Sequence, residues 1–310
     1  MNNLKKYLVR LLAAAMVAAL AFTLAACGGG SSSGGASTPT DEGGSSAVTA
    51  DADNPAGSEA GGSSAEAATP AAGSDLEKVT AAGKIVIGIT DYEPMNYYEA
   101  DNTLVGFDTE YAQAVCAQLG IEPEFIEIDW DNKELELNAG SIDAIWNGMT
   151  YTAARDENMD FSAPYLPNYI YVVVRSADAE KYKTKEDLAS ARIVSEGGST
   201  GEEAVLEDEV LGQAEFTPAD SLVSSLMEVA AGTADAAAVD SVMANYLVGK
   251  GGYSDLVIVP DLVLAEEVLA IGFRTGSDLP AKVDEITQAL IADGTLPSIA
   301  EKYGQQLINN

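Results

Sequence analysis

The sequence predicts an α/β protein made of two similar units, and three observations carry that reading. Short apolar, β-rich runs alternate with helical stretches from Asp75 onward. The alternation is interrupted by an extended apolar run, Tyr169 to Val174, and restarts from Ala191. A six-residue pattern then recurs across the interruption: Ala139-Gly140-Ser141-Ile142-Asp143-Ala144 returns as Ala231-Gly232-Thr233-Ala234-Asp235-Ala236. Two units of roughly 100 residues each fit the usual size of a domain.

Asp75-Leu76-Glu77-Lys78-Val79 opens a capped helical turn that ends at Gly83, and Lys84 to Ile89 follows as a buried strand. Further helices are expected around Thr109 to Leu119 and Lys133 to Asn138, with strands at Pro123 to Ile128 and Ile142 to Trp146. Such alternation argues for a mostly parallel sheet. In the repeated pattern, Gly suits a helix C-terminus with positive φ and Asp suits the turn into the next strand. Asn147 and Thr150 follow the first copy, and Asp240 follows the second. Ligands of open parallel sheets bind beyond the carboxyl ends of the strands, so both copies aim polar groups at a shared crevice. Cys116 sits among apolar positions 111, 115 and 119 at helical spacing and reads as a buried thiol.

Composition excludes several functions. The 310 residues hold 16 Lys plus Arg against 49 Asp plus Glu, no His and two Cys, for a formal net charge of −33. Without His there is no Ser-His-Asp or Cys-His arrangement, no imidazole base and no zinc site of the usual kinds. So negative a chain repels a phosphate backbone, which excludes nucleic acid as a partner. Two Cys are too few for a disulfide scaffold. At the N-terminus, Lys5, Lys6 and Arg10 precede an uncharged run from Leu11 to Leu24 and then small residues. This reads as a secretory leader, shorter than the ~20 residues of a spanning helix. Gly28 to Gly73 is nearly all Gly, Ser, Ala, Thr and Pro, with six acids and no base. It buries too little apolar area to offset ordering, so a disordered tether is expected, reaching roughly 35–40 Å at ~5–6 Å × √n.

Leu24-Ala25-Ala26-Cys27 resembles the lipobox of bacterial lipoproteins. The resemblance implies a signal peptide over 1–26, lipidation (palmitate among the chains) on Cys27, and a tether over 27–74. Two or more acyl chains at ~0.8 kcal/mol per buried CH₂ anchor a protein firmly, whereas one is reversible. Downstream, Val105-Gly106-Phe107-Asp108, the run Ser141-Ile142-Asp143-Ala144-Ile145-Trp146-Asn147-Gly148-Met149-Thr150, Arg155, Asp160-Phe161-Ser162, Gly198-Ser199-Thr200-Gly201 and Asp293-Gly294-Thr295 resemble the family 3 solute-binding proteins. These are the amino-acid receptors of ABC importers. The resemblance implies a type II periplasmic-binding-protein-like fold, two α/β lobes joined by two crossover strands that close on the ligand. Lobe one would be 75–168 plus 266–310 and lobe two 169–265, with Pro164 and Pro167 marking one crossing and Pro260 and Glu266-Glu267 the other.

Carried over residue by residue, the resemblance implies a cleft that satisfies a carboxylate, an ammonium and a side chain. Arg155 would bind the carboxylate bidentately, completed by Thr150 and, from lobe two, Thr200 at the start of a helix. The alternative leaves Arg155 paired with Asp156 or Glu157. Asp240 would take the ammonium, beside Asn147 and Gly148, while Asp235 reads as a turn residue. Tyr92 and Trp130 would wall the ligand, with Asp91, Glu93 and Trp146 completing the side-chain pocket; Tyr97 and Tyr98 are alternatives to Tyr92. The first loop, Thr90 to Met95, is one residue shorter than the family spacing. No cofactor or metal is implied. The expected partners are an amino acid, an importer permease and, through the anchor, the extracytoplasmic face of the cell membrane, with the protein a monomer. Two other readings use the same fold: a dehydratase-like enzyme with Glu93 or Glu196 as proton donor, and a ligand-sensing subunit of a membrane receptor. The intact set of Arg155, Thr150 and Asp240, with the lipid tether, favours a receptor that is not an enzyme.

Overall fold

Ser74 begins the folded chain as a helix cap rather than as the last residue of a tether. Its side chain accepts from the N–H of Glu77, and helix α1 (Asp75–Ala82) ends at Gly83, whose φ of 70° closes it. The computed structural model describes residues 73–308; the expected signal peptide, Cys27 and the tether up to residue 72 lie outside the described residues.

The first half continues with β1 (Lys84–Ile89), the hairpin of β2 (Tyr97–Tyr98) and β3 (Leu104–Val105), α2 (Phe107–Leu119), β4 (Glu122–Glu127), α3 (Lys133–Ala139), β5 (Ala144–Ile145), α4 (Ala153–Asp156) and β6 (Met159–Phe161). The crossing strand β7 (Leu166–Arg175) leads to α5 (Lys185–Leu188), β8 (Arg192–Glu196), α6 (Thr200–Leu206), β9 (Glu215–Ala219), α7 (Leu222–Ala231), β10 (Ala236–Asp240) and α8 (Ser241–Leu247). The returning strand β11 (Leu256–Leu269) is followed by β12 (Gly272–Arg274), α9 (Leu279–Ala292) and α10 (Thr295–Lys302). Among the described residues no helix is long and apolar enough to cross a membrane.

Two five-stranded sheets share one plan, β4-β1-β5-β12-β6 and β9-β8-β10-β7-β11. In each, three strands run parallel and the fourth joins antiparallel. The fifth strand, β6 or β11, pairs antiparallel with that fourth one and so points the same way as the first three, which leaves each sheet mostly parallel with one reversed strand that arrives through a crossover and enters from the opposite end. The repeated sequence pattern does the same work twice. Gly140 and Gly232, with φ of 77° and 79°, end α3 and α7. Asp143 Oδ2 then accepts the N–H of Val86 on β1, and Asp235 Oδ2 accepts the N–H of Arg192 on β8, both at 3.0 Å. Each Asp ties its central strand to the neighbouring one, and hydrogen bonds from Arg192 hold the Asp235 carboxyl well below the usual carboxylate range.

The crossovers β7 and β11 pair antiparallel from Leu166 opposite Leu269 to Arg175 opposite Leu256. Pro167 lies inside β7, and Pro260 lies inside β11 where its pairing with β7 becomes irregular, so these prolines sit within the crossings. Strand alternation sorts the lobe-one core onto two faces. Ile145 packs with Leu137, Ile142 and Met159, whereas Ala144 and Trp146 share a cluster with Phe107, Tyr111 and Val115 of α2. Cys116 is buried in that second cluster, and burial pushes its thiol up to about 12, as suits a structural residue.

Candidate functional site

Six strands lead to one cavity. Segments after β1, β4 and β5 supply it from lobe one, and those at or after the ends of β8, β9 and β10 from lobe two, which is where polar groups gather at open α/β sheets. The cavity is tightly closed and is lined by Tyr92, Trp130, Asn147, Gly148, Thr150, Arg155, Glu196, Ser199, Thr200, Leu222 and Asp240. A wider groove of about 1170 Å³ lies between β7, α8 and α10, but its lining includes none of the buried charged residues.

Arg155 is carried on the four-residue helix α4, whose start is capped by Thr152 Oγ1 accepting the Arg155 N–H. Its guanidinium is buried and donates to the Thr150 carbonyl at 3.1 Å and to the Gly198 carbonyl of lobe two at 3.2 Å. Its carboxylate partner is Glu203 of α6 at 3.3 Å, not Asp156 or Glu157. Glu203 is half exposed, so this pair contributes at most ~1 kcal/mol and is easily exchanged. Thr150 Oγ1 donates to Glu267 Oε2 at 3.0 Å, and Thr200 also bonds Glu267, so β11 backs the site with a carboxylate.

Asp240 ends β10, buried, and accepts the Tyr92 hydroxyl at 2.6 Å across the lobe boundary. Burial, and then the negative charge of Glu267, push its carboxyl up to about 7. Glu196 holds the equivalent place at the end of β8. Only 3% exposed, it has an Oε1 with no hydrogen-bond partner, and burial with the Asp240 charge pushes it up to about 8. Opposite it, Lys133 of α3 is also buried. Its Nζ donates to the Trp130 carbonyl at 3.1 Å and the Gly198 carbonyl at 2.8 Å, and burial followed by the Arg155 charge lowers it to about 8. Gly198 thus receives two lobe-one cations on one carbonyl.

Eight of the expected ligand-site residues line this cavity, and three lie elsewhere. Tyr92 lines the cavity from the bridge residue that opens the turn Glu93–Met95, and its neighbours Asp91 and Glu93 are not part of the lining. Burial and then the nearby Glu127 raise Asp91, and burial and then Asp91 raise Glu93, so the two belong to an acidic cluster with Glu127. Trp146 faces α2, its ring 4.9 Å from Tyr111 and edge-on, because alternation along β5 sends it to that side. Two residues at the cavity have duties other than the expected ones. The Asn147 amide is spent within lobe one: Oδ1 accepts the N–H and hydroxyl of Thr90, and Nδ2 donates to the Thr90 carbonyl and Asn96 Oδ1. The Gly148 N–H goes to Asp108 Oδ2 at 2.6 Å. Gly148 has φ of 57°, and a Cβ there would lie 2.4 Å from the Tyr92 ring, so only Gly admits the aromatic wall.

Glu196, Ser199, Leu222, Glu267 and Lys133 join the expected set. A buried strand ending in a charge singles out Asp240 in the sequence, and the same signal marks Glu196 after Ile193-Val194-Ser195. Lys133 has no such signal, since a Lys near a helix start reads as solvent-facing until the second lobe covers it.

The profile of the bacterial extracellular solute-binding proteins, family 3, matches residues 85–306. The L-cystine-binding protein TcyJ of Escherichia coli is 29% identical over 230 residues, covering 74% of this chain and 85% of that protein. The arginine-binding extracellular protein ArtP of Bacillus subtilis is 28% identical over 224 residues, 71% of this chain and 86% of that protein. Among solved structures, an amino acid ABC transporter substrate-binding protein from Streptococcus pneumoniae bound to L-arginine superposes with a TM-score of 0.69. It is 31% identical and covers 76% of this chain and 100% of that one. An ancestral amino acid-binding protein described as a precursor of cyclohexadienyl dehydratase gives 0.68 at 29% identity, covering 74% and 99%. With two lobes of the same plan closing on one buried, charged cavity, the chain belongs to the bacterial extracellular solute-binding proteins, family 3.

Proposed function

We propose that this protein captures a free amino acid between its lobes and hands it to the permease of an ABC importer, held at the extracytoplasmic face of the membrane by lipid on Cys27. One observation carries the reading: Arg155 of lobe one and Asp240 of lobe two are both buried on one cavity, yet Arg155 bonds Glu203 and Asp240 bonds Tyr92 rather than each other. A carboxylate beside Arg155 and an ammonium beside Asp240 belong to one α-amino acid, which then bridges the lobes. Thr150 and Thr200 add donors for the carboxylate, the Gly148 carbonyl adds an acceptor for the ammonium, and Tyr92 and Trp130 enclose the remainder. The arginine- and cystine-binding relatives support an amino-acid ligand for this chain too.

A dehydratase-like enzyme on this fold needs a proton donor at the ligand. Glu93 lies off the cavity, and Glu196 is the acid there that remains for the role. The receptor reading accounts for Arg155 and Asp240 together and is preferred. Its test is a screen of the standard amino acids and their close derivatives by calorimetry. At least one should bind, unchanged on recovery, and Arg155→Ala should weaken it by roughly two to three orders of magnitude, since breaking a buried charge pair costs ~3–5 kcal/mol. No binding across the set, or binding indifferent to Arg155→Ala, would sink the reading.

A further inference from the structure

We propose that the receptor selects amino acids whose side chain carries a second positive charge, and that Glu196 is the residue that pairs with it. The inference rests on the amino-acid-receptor reading above and names the ligand class of that same cavity.

Besides Tyr92, three acidic or basic side chains line the cavity: Arg155, Asp240 and Glu196. The α-carboxylate and α-ammonium of any amino acid occupy the first two. Glu196 is left over, 3% exposed, with Oε1 lacking any hydrogen-bond partner. A buried carboxyl without a partner costs free energy that a matching group recovers. The charged groups facing it are Asp240, Lys133 and Asp129. Two of these are acids. The third, Lys133, is engaged elsewhere, donating to the Trp130 and Gly198 carbonyls across the lobe boundary. Among the described residues no cation forms an ion pair with Glu196, Lys133 acting on it only through its charge, so the ligand can supply one. The surroundings suit such a side chain, with the apolar body of Leu222 for an aliphatic stem and the Tyr92 ring in the lining, while Trp130 already carries Lys133 Nζ 5.0 Å from its ring centroid. Burial pushes Glu196 up to about 8, so an ammonium or guanidinium would draw it into the charged form and release a proton on binding. A second zwitterionic end, as in cystine, also brings a carboxylate, which Lys133 would have to leave its two carbonyls to meet.

The test is calorimetry on the full-length protein with matched pairs: lysine against norleucine, arginine against citrulline, and cystine as a separate arm. Each pair keeps the shape and changes the charge. The cationic member should bind at least about 30-fold more tightly, the lower end of what losing one partner of a buried charge pair costs, and Glu196→Gln should erase most of that preference. A neutral member binding as tightly as its cationic partner would overturn the inference even if the variant failed to fold. So would a preference that survives Glu196→Gln, or one for cystine over both lysine and arginine. These results would leave the amino-acid reading standing, because an amino acid would still have bound; silence from every compound would instead remove both.

Discussion

Gly198→Ala separates the cost of shaping a loop from the cost of closing the cleft. Gly198 has φ of 69°, a conformation that costs an Ala roughly 1–2 kcal/mol, and this penalty applies whether the lobes are apart or together. The new Cβ would also lie 2.9 Å from Asp131 Oδ1 and 3.0 Å from Asp131 Cα. Asp131 belongs to lobe one and Gly198 to lobe two, so this clash exists only in the closed form. A backbone carbon does not swing aside, and overpacking of this kind costs about 1–3 kcal/mol. The lobes would relieve it by separating slightly, which lengthens the bonds from Lys133 and Arg155 to the Gly198 carbonyl. At ~1.4 kcal/mol per tenfold, ligand affinity should fall roughly 5- to 150-fold. The loss should appear in the dissociation rate, because closure follows encounter. Stopped-flow fluorescence and calorimetry measure it, with thermal unfolding reporting the backbone penalty separately. A folded variant with wild-type affinity and dissociation rate would refute the view that Gly198 is a closed-state contact.

Further outcomes follow from the same geometry. Trp130 lines the cavity and Trp146 packs against Tyr111, so Trp130→Phe should abolish the ligand-induced change in intrinsic fluorescence while Trp146→Phe keeps it; the opposite pattern would move the ligand toward α2. Asp108, Asp240 and Glu196 have carboxyls raised by burial to about 7, 7 and 8. The folded ligand-free protein then binds more protons than the unfolded chain between about pH 4 and 8, so its thermal stability should fall as pH rises through that window. A melting temperature that holds steady or climbs from pH 5 to 8 would contradict this. Cys27→Ser should release the protein from the cell into the medium, and variant protein still sedimenting with membranes would count against the lipid anchor.

Much of the framework is local enough to read from residues alone. The C-terminal Gly of α3 and α7 and the Asp that follows each are short-range devices, and their recurrence reports two lobes of one plan. Arg155, Thr150 and Asp240 are legible for a related reason, since each follows a strand end or sits in a motif whose order is itself a pattern. Trp146 and Asn147 were harder, because adjacent residues at a strand end go to opposite sides. One residue decides whether a side chain meets the ligand or the core. Asp108 shows what a motif conceals: the Val105-Gly106-Phe107-Asp108 stretch matters because its carboxylate holds the Gly148 N–H and the Tyr165 hydroxyl.

Periodicity, turn chemistry and composition are sufficient for the two-unit α/β architecture and for the exclusion of imidazole chemistry by the absence of His, while the placing of Arg155 and Asp240 on one cleft is what the resemblance to the family implies. All of these depend on residue type and near neighbours along the chain. Which charges are left without a partner was settled only when two surfaces far apart in sequence met. Lys133 looks like a solvated ion in a chain of charge −33, and the strand end that marks Glu196 does not tell what it faces; lobe closure buries both, gives Lys133 two carbonyls and leaves Glu196 Oε1 without a partner. Desolvation depends on what covers a group, and what covers these two lies on the opposite lobe, more than 60 residues away along the chain.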